Sequence, residues 1–166
     1  LATFDGYAFE GILVFLAGYL ATNIAAFLAV AALSNGERSA HPLADLAGLG
    51  RRRPFAASVL TLAMLSLTGL PPTVGFIGKL LVFRAAIDAG LVSLALVGVF
   101  GSLVSAGYYL RVVYYLWMKE PNREVDAPEE DVLSGAAYIL VSAAMLVLGV
   151  LPRPLLDIAR AAARSL

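Results

Sequence analysis

Apolar residues run in long blocks along this chain, and the polar positions that interrupt them mark out its elements. Four blocks are long enough to cross a bilayer, where a helix needs about 20 apolar residues for a core of roughly 30 Å. The first helix is placed at 9–33, the second at 54–89, the third at 91–117 and the fourth at 132–151. Together they read as an all-α integral membrane domain over residues 1–153, followed by a short segment, 154–166. In that segment Asp157, Arg160 and Arg164 recur at helical spacing, with Asp early and Arg late as the helix dipole favours. It reads as an interfacial helix or a solvated tail. The second block cannot be one straight crossing, because Pro54 to Ala89 would reach about 54 Å at about 1.5 Å per residue.

The reason lies inside Leu65–Phe83, LSLTGLPPTVGFIGKLLVF. Pro71 and Pro72 lack amide hydrogens, so a continuous helix would leave the carbonyls of Leu67 and Thr68 unpaired. Leu70, before a proline, is pushed from helical angles, and Gly69 removes the last steric bias toward helix. Gly69, Leu70, Pro71 and Pro72 therefore break the helix. Unpaired backbone groups in lipid cost several kcal/mol each, so the break is expected to face protein or a water-filled cavity. Ser66, Thr68 and Thr73 are the nearest hydroxyls.

Lys79 lies two turns beyond the break and shares a helical face with Pro72, Gly75, Phe76 and Phe83. A lysine near the bilayer centre costs roughly 2.5–3.5 kcal/mol to insert. Burial disfavours its charged form, so the site suits proton exchange. Broken helices carrying ion sites are a transporter device. The competing reading is snorkelling, since Arg84 marks an interface five residues later.

Other polar groups in the spans are fewer. Tyr19 and Asn23 sit mid-way along the first helix, where they either join helices by hydrogen bonds or line a hydrated path with Ser66, Thr68 and Thr73. Gly18, Thr22 and Ala26, and in the third helix Gly98, Ser102 and Ala106 with Gly101 and Ser105, read as close-packing faces. Arg111, among the tyrosines that end the third helix, belongs to an aromatic belt or turns inward as a charge partner. His41, in a loop before Pro42, is a weak candidate for a proton relay.

Composition agrees with the pattern. Hydrophobic residues make up 60% and charged residues 14% of 166, with mean hydropathy +0.84; soluble domains lie nearer 45–50% and 25%. No cysteine is present, which removes disulfides, iron–sulfur ligation and thiolate zinc sites, and a single histidine argues against a histidine metal site. A net charge of +0 argues against a nucleic acid partner. The loop at 34–53 carries Arg38, Arg51, Arg52 and Arg53, and the loop at 119–131 adds Lys119 and Arg123. The other side holds Arg84, Arg153, Arg160 and Arg164, so the positive-inside rule narrowly puts both long loops in the cytoplasm. The chain starts with Leu1, and its beginning has no signal-peptide shape, which suggests a piece of a longer protein.

The run GLPPTVGFIGK, Gly69 to Lys79, resembles the discontinuous twelfth membrane helix of subunit N of respiratory complex I, the NADH:quinone oxidoreductase. Gly75 to Lys79 carries most of the specificity, and Tyr19–Phe27, Asp45–Gly48 and Tyr108–Val112 support it. The resemblance covers essentially the whole chain and implies helices eleven to fourteen of a fourteen-helix, antiporter-like subunit. It further implies proton translocation through Lys79, with no redox cofactor here. FMN, iron–sulfur clusters and quinone would belong to other subunits. The implied partners are other membrane-arm subunits, the N-terminal part of the same subunit and the lipid bilayer, in a bacterial inner membrane. The rival readings are an Mrp-type cation/proton antiporter subunit and a passive membrane scaffold.

Overall fold

The computed structural model describes residues 2–34, 42–120 and 132–164, and the described residues are helices joined by short turns. His41 and the acidic stretch 121–131 lie outside them. In chain order the helices are α1 (Ala2–Leu33), α2 (Pro42–Asp45), α3 (Leu49–Arg52), α4 (Pro54–Thr68), α5 (Val74–Asp88), α6 (Val92–Met118), α7 (Val132–Val150) and α8 (Arg153–Arg164). The fold is an all-α integral membrane arrangement. Among the described residues, Ala8–Leu33 and Val92–Met118 are each long and apolar enough to cross unaided. The second of the four expected crossings is divided into α4 and α5, and α7 turns into α8 through 78°. At 15 residues, α4 and α5 each reach only about 22 Å, short of a roughly 30 Å core, so neither crosses alone.

Small residues set the packing. In lipid, helices gain little from burying apolar surface against one another, and close van der Waals contact takes over. The seam between α1 and α5 is antiparallel and built on glycine. A Cβ on Gly11 would meet Leu81 at 3.4 Å, one on Gly78 would meet the Phe15 Cα at 2.8 Å, and one on Gly18 would meet Val74 at 3.0 Å. Further along α1, Ala25, Ala26 and Ala29 are buried in a core with Ala56, Ala57, Leu60 and Ala63 of α4. Tyr138 and Met145 bring α7 onto the same core. By contrast, α6 leaves Val97, Phe100 and Leu103 about 70% exposed.

The segment before α4 is tied down at both ends. Gly48 donates its N–H to the Tyr115 carbonyl at 3.1 Å, and Gly50 lies against the Trp117 ring. Trp117 Nε1 donates to Thr61 Oγ1 at 2.8 Å. Arg53, 6% exposed, donates to the Ala32 carbonyl at the end of α1, a favoured place for a cation.

The last segment forms helix α8, docked on α1. Arg160 donates to Glu10 at 3.0 Å, and Asp157 flanks Arg160 at 3.6 Å. Glu10 is 7% exposed, so its carboxylate depends on this partner. Replacing Arg160 with alanine is expected to cost about 1–2 kcal/mol, below the 3–5 of fully buried pairs because Arg160 is half exposed. The double replacement Glu10→Gln with Arg160→Ala should cost less than Arg160→Ala alone, since no orphaned charge remains. Thermal unfolding of the detergent-solubilised protein ranks the three variants.

The lysine-capped helix break

The chain stops α4 with a glycine. Gly69 adopts φ 89°, ψ 40°, a left-handed conformation that suits glycine. Its N–H reaches the Ser66 carbonyl at 3.0 Å, and the Leu70 N–H reaches the Leu65 carbonyl at 3.1 Å, a Schellman closure. That closure leaves the Leu67 and Thr68 carbonyls over. Lys79 takes both: Nζ donates to Leu67 O at 2.8 Å and to Thr68 O at 3.0 Å. The sequence identified these two carbonyls as the ones the prolines orphan, and looked to water, hydroxyls or neighbouring helices for their partners. The partner is instead the lysine two turns beyond the break. Its amine turns back toward the break, where a cation also complements the C-terminal dipole of α4. A Cβ on Gly69 would stand 2.9 Å from the Lys79 Cδ, so glycine there also clears the lysine stem.

The hydroxyls do other work. Thr73, at the head of α5, hydrogen-bonds the Leu70 carbonyl at 2.7 Å. Ser66 Oγ accepts the Gly75 N–H at 3.3 Å, filling the place of an N-cap hydroxyl from the neighbouring half-helix. Thr68 Oγ1 bonds back to the Met64 carbonyl at 2.8 Å within its own helix. The far side of the break is covered by α7: a Cβ on Gly149 would fall 2.1 Å from the Pro72 carbonyl oxygen.

Lys79 lines a cavity of about 340 Å³. From α1 it receives Phe15, Tyr19 and Thr22; from α4, Ser66 and Leu67; from α5, Gly75 beside Lys79. The remaining wall is α6, through Gly98, Gly101, Ser102, Ser105 and Tyr109. Tyr19 and Ser66 are thus brought to the lysine's cavity, whereas Asn23, Thr68 and Thr73 do not line it. Asn23 donates one amide hydrogen to the Tyr19 carbonyl of its own helix, 2.8 Å away. Arg111 is exposed, its guanidinium 5.8 Å from the Tyr115 ring centre, and it is not among the residues at the lysine. The α6 stripe read as a packing face does so only in part. Gly98 lies under Phe83, but a Cβ on Gly101 would meet nothing within 4 Å, and Ser102 and Ser105 face the cavity. Serines at three-residue spacing on that stripe were the available signal for a polar wall.

The transmembrane family model described as NADH:quinone oxidoreductase/Mrp antiporter matches residues 1–105. Subunit N 2 of the NADH-quinone oxidoreductase of Roseiflexus castenholzii is 42% identical over 149 residues, covering 90% of this chain and 30% of that protein. Subunit N of Geobacter metallireducens is 40% identical over 159 residues, 96% of this chain and 34% of that one. The chain therefore spans about a third of the length of these relatives. Among solved structures, respiratory complex I from Thermus thermophilus with bound aureothin contains a chain that superposes with a TM-score of 0.74 at 35% identity. That match covers 93% of this chain and 36% of that one. The Mrp complex from Dietzia shares the fold, with a TM-score of 0.79 at 24% identity, over 96% of this chain and 39% of that one. With its broken helix, its spanning helices and a family match over more than half its length, this multi-pass membrane chain belongs to the NADH:quinone oxidoreductase/Mrp antiporter transmembrane family.

Proposed function

We propose that this chain serves the membrane arm of respiratory complex I as an antiporter-like, proton-translocating element, and that Lys79 takes up and releases the proton. The observation that carries the reading is the double hydrogen bond of Lys79 to the Leu67 and Thr68 carbonyls at the edge of a cavity. An ammonium has three N–H groups, a neutral amine two and a lone pair. Two carbonyls can therefore keep the amine in place in either state, while the third position, proton or lone pair, is free for exchange with the cavity. The relatives named as subunit N of NADH-quinone oxidoreductase support the assignment to complex I.

In this reading the chain takes no part in the redox chemistry. NADH oxidation and quinone reduction, with FMN and iron–sulfur clusters, belong to other subunits. Its partners are other membrane-arm subunits, the rest of the same subunit and lipid, in a bacterial inner membrane with residues 34–53 and 119–131 on the cytoplasmic side. A scaffold reading has its own support, because the same two hydrogen bonds make Lys79 a helix cap.

Lys79→Met and Lys79→Arg in the assembled complex separate the two. NADH-driven quinone reduction and proton uptake are measured in sealed vesicles at matched assembly. Arginine keeps a capping cation but does not release its proton. Loss of proton uptake in both variants, with assembly preserved, is the expected result. Parent-level pumping with methionine, or a defect confined to assembly and repaired by arginine, makes Lys79 a structural cap.

A further inference from the structure

Two buried hydroxyls at the break take no part in the lysine's own hydrogen bonds. Ser66 is 0% and Thr22 1% exposed. Thr22 Oγ1 lies 2.7 Å from the Gly18 carbonyl, which only accepts, so the single O–H of Thr22 points there. The 3.0 Å contact between the Thr22 and Ser66 oxygens then has one direction, with Ser66 donating. Ser66 in turn accepts from the Gly75 N–H. The result is a directed chain from α5 through α4 to α1: Gly75 N–H to Ser66, Ser66 to Thr22, Thr22 to the Gly18 carbonyl.

We propose that Ser66 and Thr22 are positioning residues for the Lys79 amine, an inference that rests on the proton-transfer reading above. Gly75 stands one turn before Lys79 on α5. Ser66 stands one and two residues before the carbonyls that receive the lysine's hydrogens. The hydroxyl chain therefore fixes the helix bearing the donor against the helix bearing its acceptors. It makes no demand on the lysine, so it holds the half-helices together while the amine exchanges its proton with the cavity.

The test uses the assembled complex in sealed vesicles, with proton uptake read against quinone reduction. Ser66→Ala and the near-isosteric Thr22→Val are each expected to lower the Lys79-dependent part of pumping about fivefold, the factor that one lost hydrogen bond of about 1 kcal/mol gives. Thr22→Ser, which keeps the hydroxyl, should restore it. Combined with Lys79→Met, Ser66→Ala should cost nothing further, because its effect passes through the lysine. If Ser66→Ala fails to assemble, Thr22→Val and its serine counterpart carry the same comparison. Additive loss in the double variant, or parent-level pumping in Thr22→Val, overturns the positioning role. Loss of pumping in Lys79→Met with Ser66→Ala and Thr22→Val unaffected defeats this inference alone. Parent-level pumping in Lys79→Met defeats both readings.

Discussion

Gly75→Ala is expected to abolish accumulation of the folded subunit. The added methyl would sit 2.0 Å from the Ser66 carbonyl oxygen, 2.8 Å from its carbon and 2.9 Å from its hydroxyl. Two of these atoms are backbone, so no rotamer change relieves the clash. The half-helices must part by more than an ångström. That movement breaks the Gly75–Ser66 hydrogen bond and pulls Lys79 away from its carbonyls. Overpacking alone costs about 1–3 kcal/mol and occasionally more, and each buried polar group left alone adds about 1–3. A total of about 4 kcal/mol or more consumes much of the 5–15 kcal/mol that holds a typical fold together. The amount of assembled complex on native gels, with protease resistance of the subunit, reads the outcome. Gly11→Ala is the comparison: its methyl would make an ordinary 3.4 Å contact with Leu81, and it should accumulate near the parent level. Equal accumulation of Gly75→Ala and the parent would mean that the half-helices do not meet as described.

The second large effect is expected from Gly149→Ala, on the opposite side of the break. Here the methyl would fall 2.1 Å from the Pro72 carbonyl oxygen and 2.5 Å from the Thr73 carbonyl carbon. The helix carrying it must back away from the turn between α4 and α5. A backbone group left unpaired in lipid costs several kcal/mol, so water is expected to follow into the gap. This chain has no cysteine, so a single introduced thiol is the one site in it that a maleimide can label, read on the isolated subunit band. Thr73, 2% exposed, is the place for it. Thr73→Cys should resist a small water-soluble maleimide in the otherwise unaltered chain and react readily once Gly149→Ala is added. Equal, slow labelling of both would show that α7 does not seal the break.

The position of the break could be read from the sequence because its causes are local. Gly69, Pro71 and Pro72 each act on the backbone within a few residues, and the two orphaned carbonyls follow from counting hydrogen bonds. Their partner could not be read in the same way. Whether Lys79 reaches outward toward Arg84 or back toward Leu67 depends on the angle between two half-helices, which no spacing rule supplies. The polar wall of α6 was hidden for a related reason, since glycine and serine serve equally to admit a neighbouring helix and to leave room beside it. Gly98 does the first, while Gly101 and Ser105 do the second. Asn23 shows why a polar residue in a helix is ambiguous, because the helix always offers an acceptor one turn back, here the Tyr19 carbonyl. The pairing of Glu10 with Arg160 joins residues 150 positions apart, and separation on that scale leaves no local signature.

The glycine seam between α1 and α5 also sets what can move. Gly18 and Gly78 bring the two rods together with almost no side-chain padding between them, and the Cα of Phe15 is itself a contact point. Sliding α5 along such a rail would drive the bulk of Phe15 and Leu81 into the slots the glycines leave, so the helix is held like a splint. The Lys79 amine is likewise held, by the Leu67 and Thr68 carbonyls, so in the reading proposed above only the proton has to move. In mechanical terms the site is a clamp on a fixed mast.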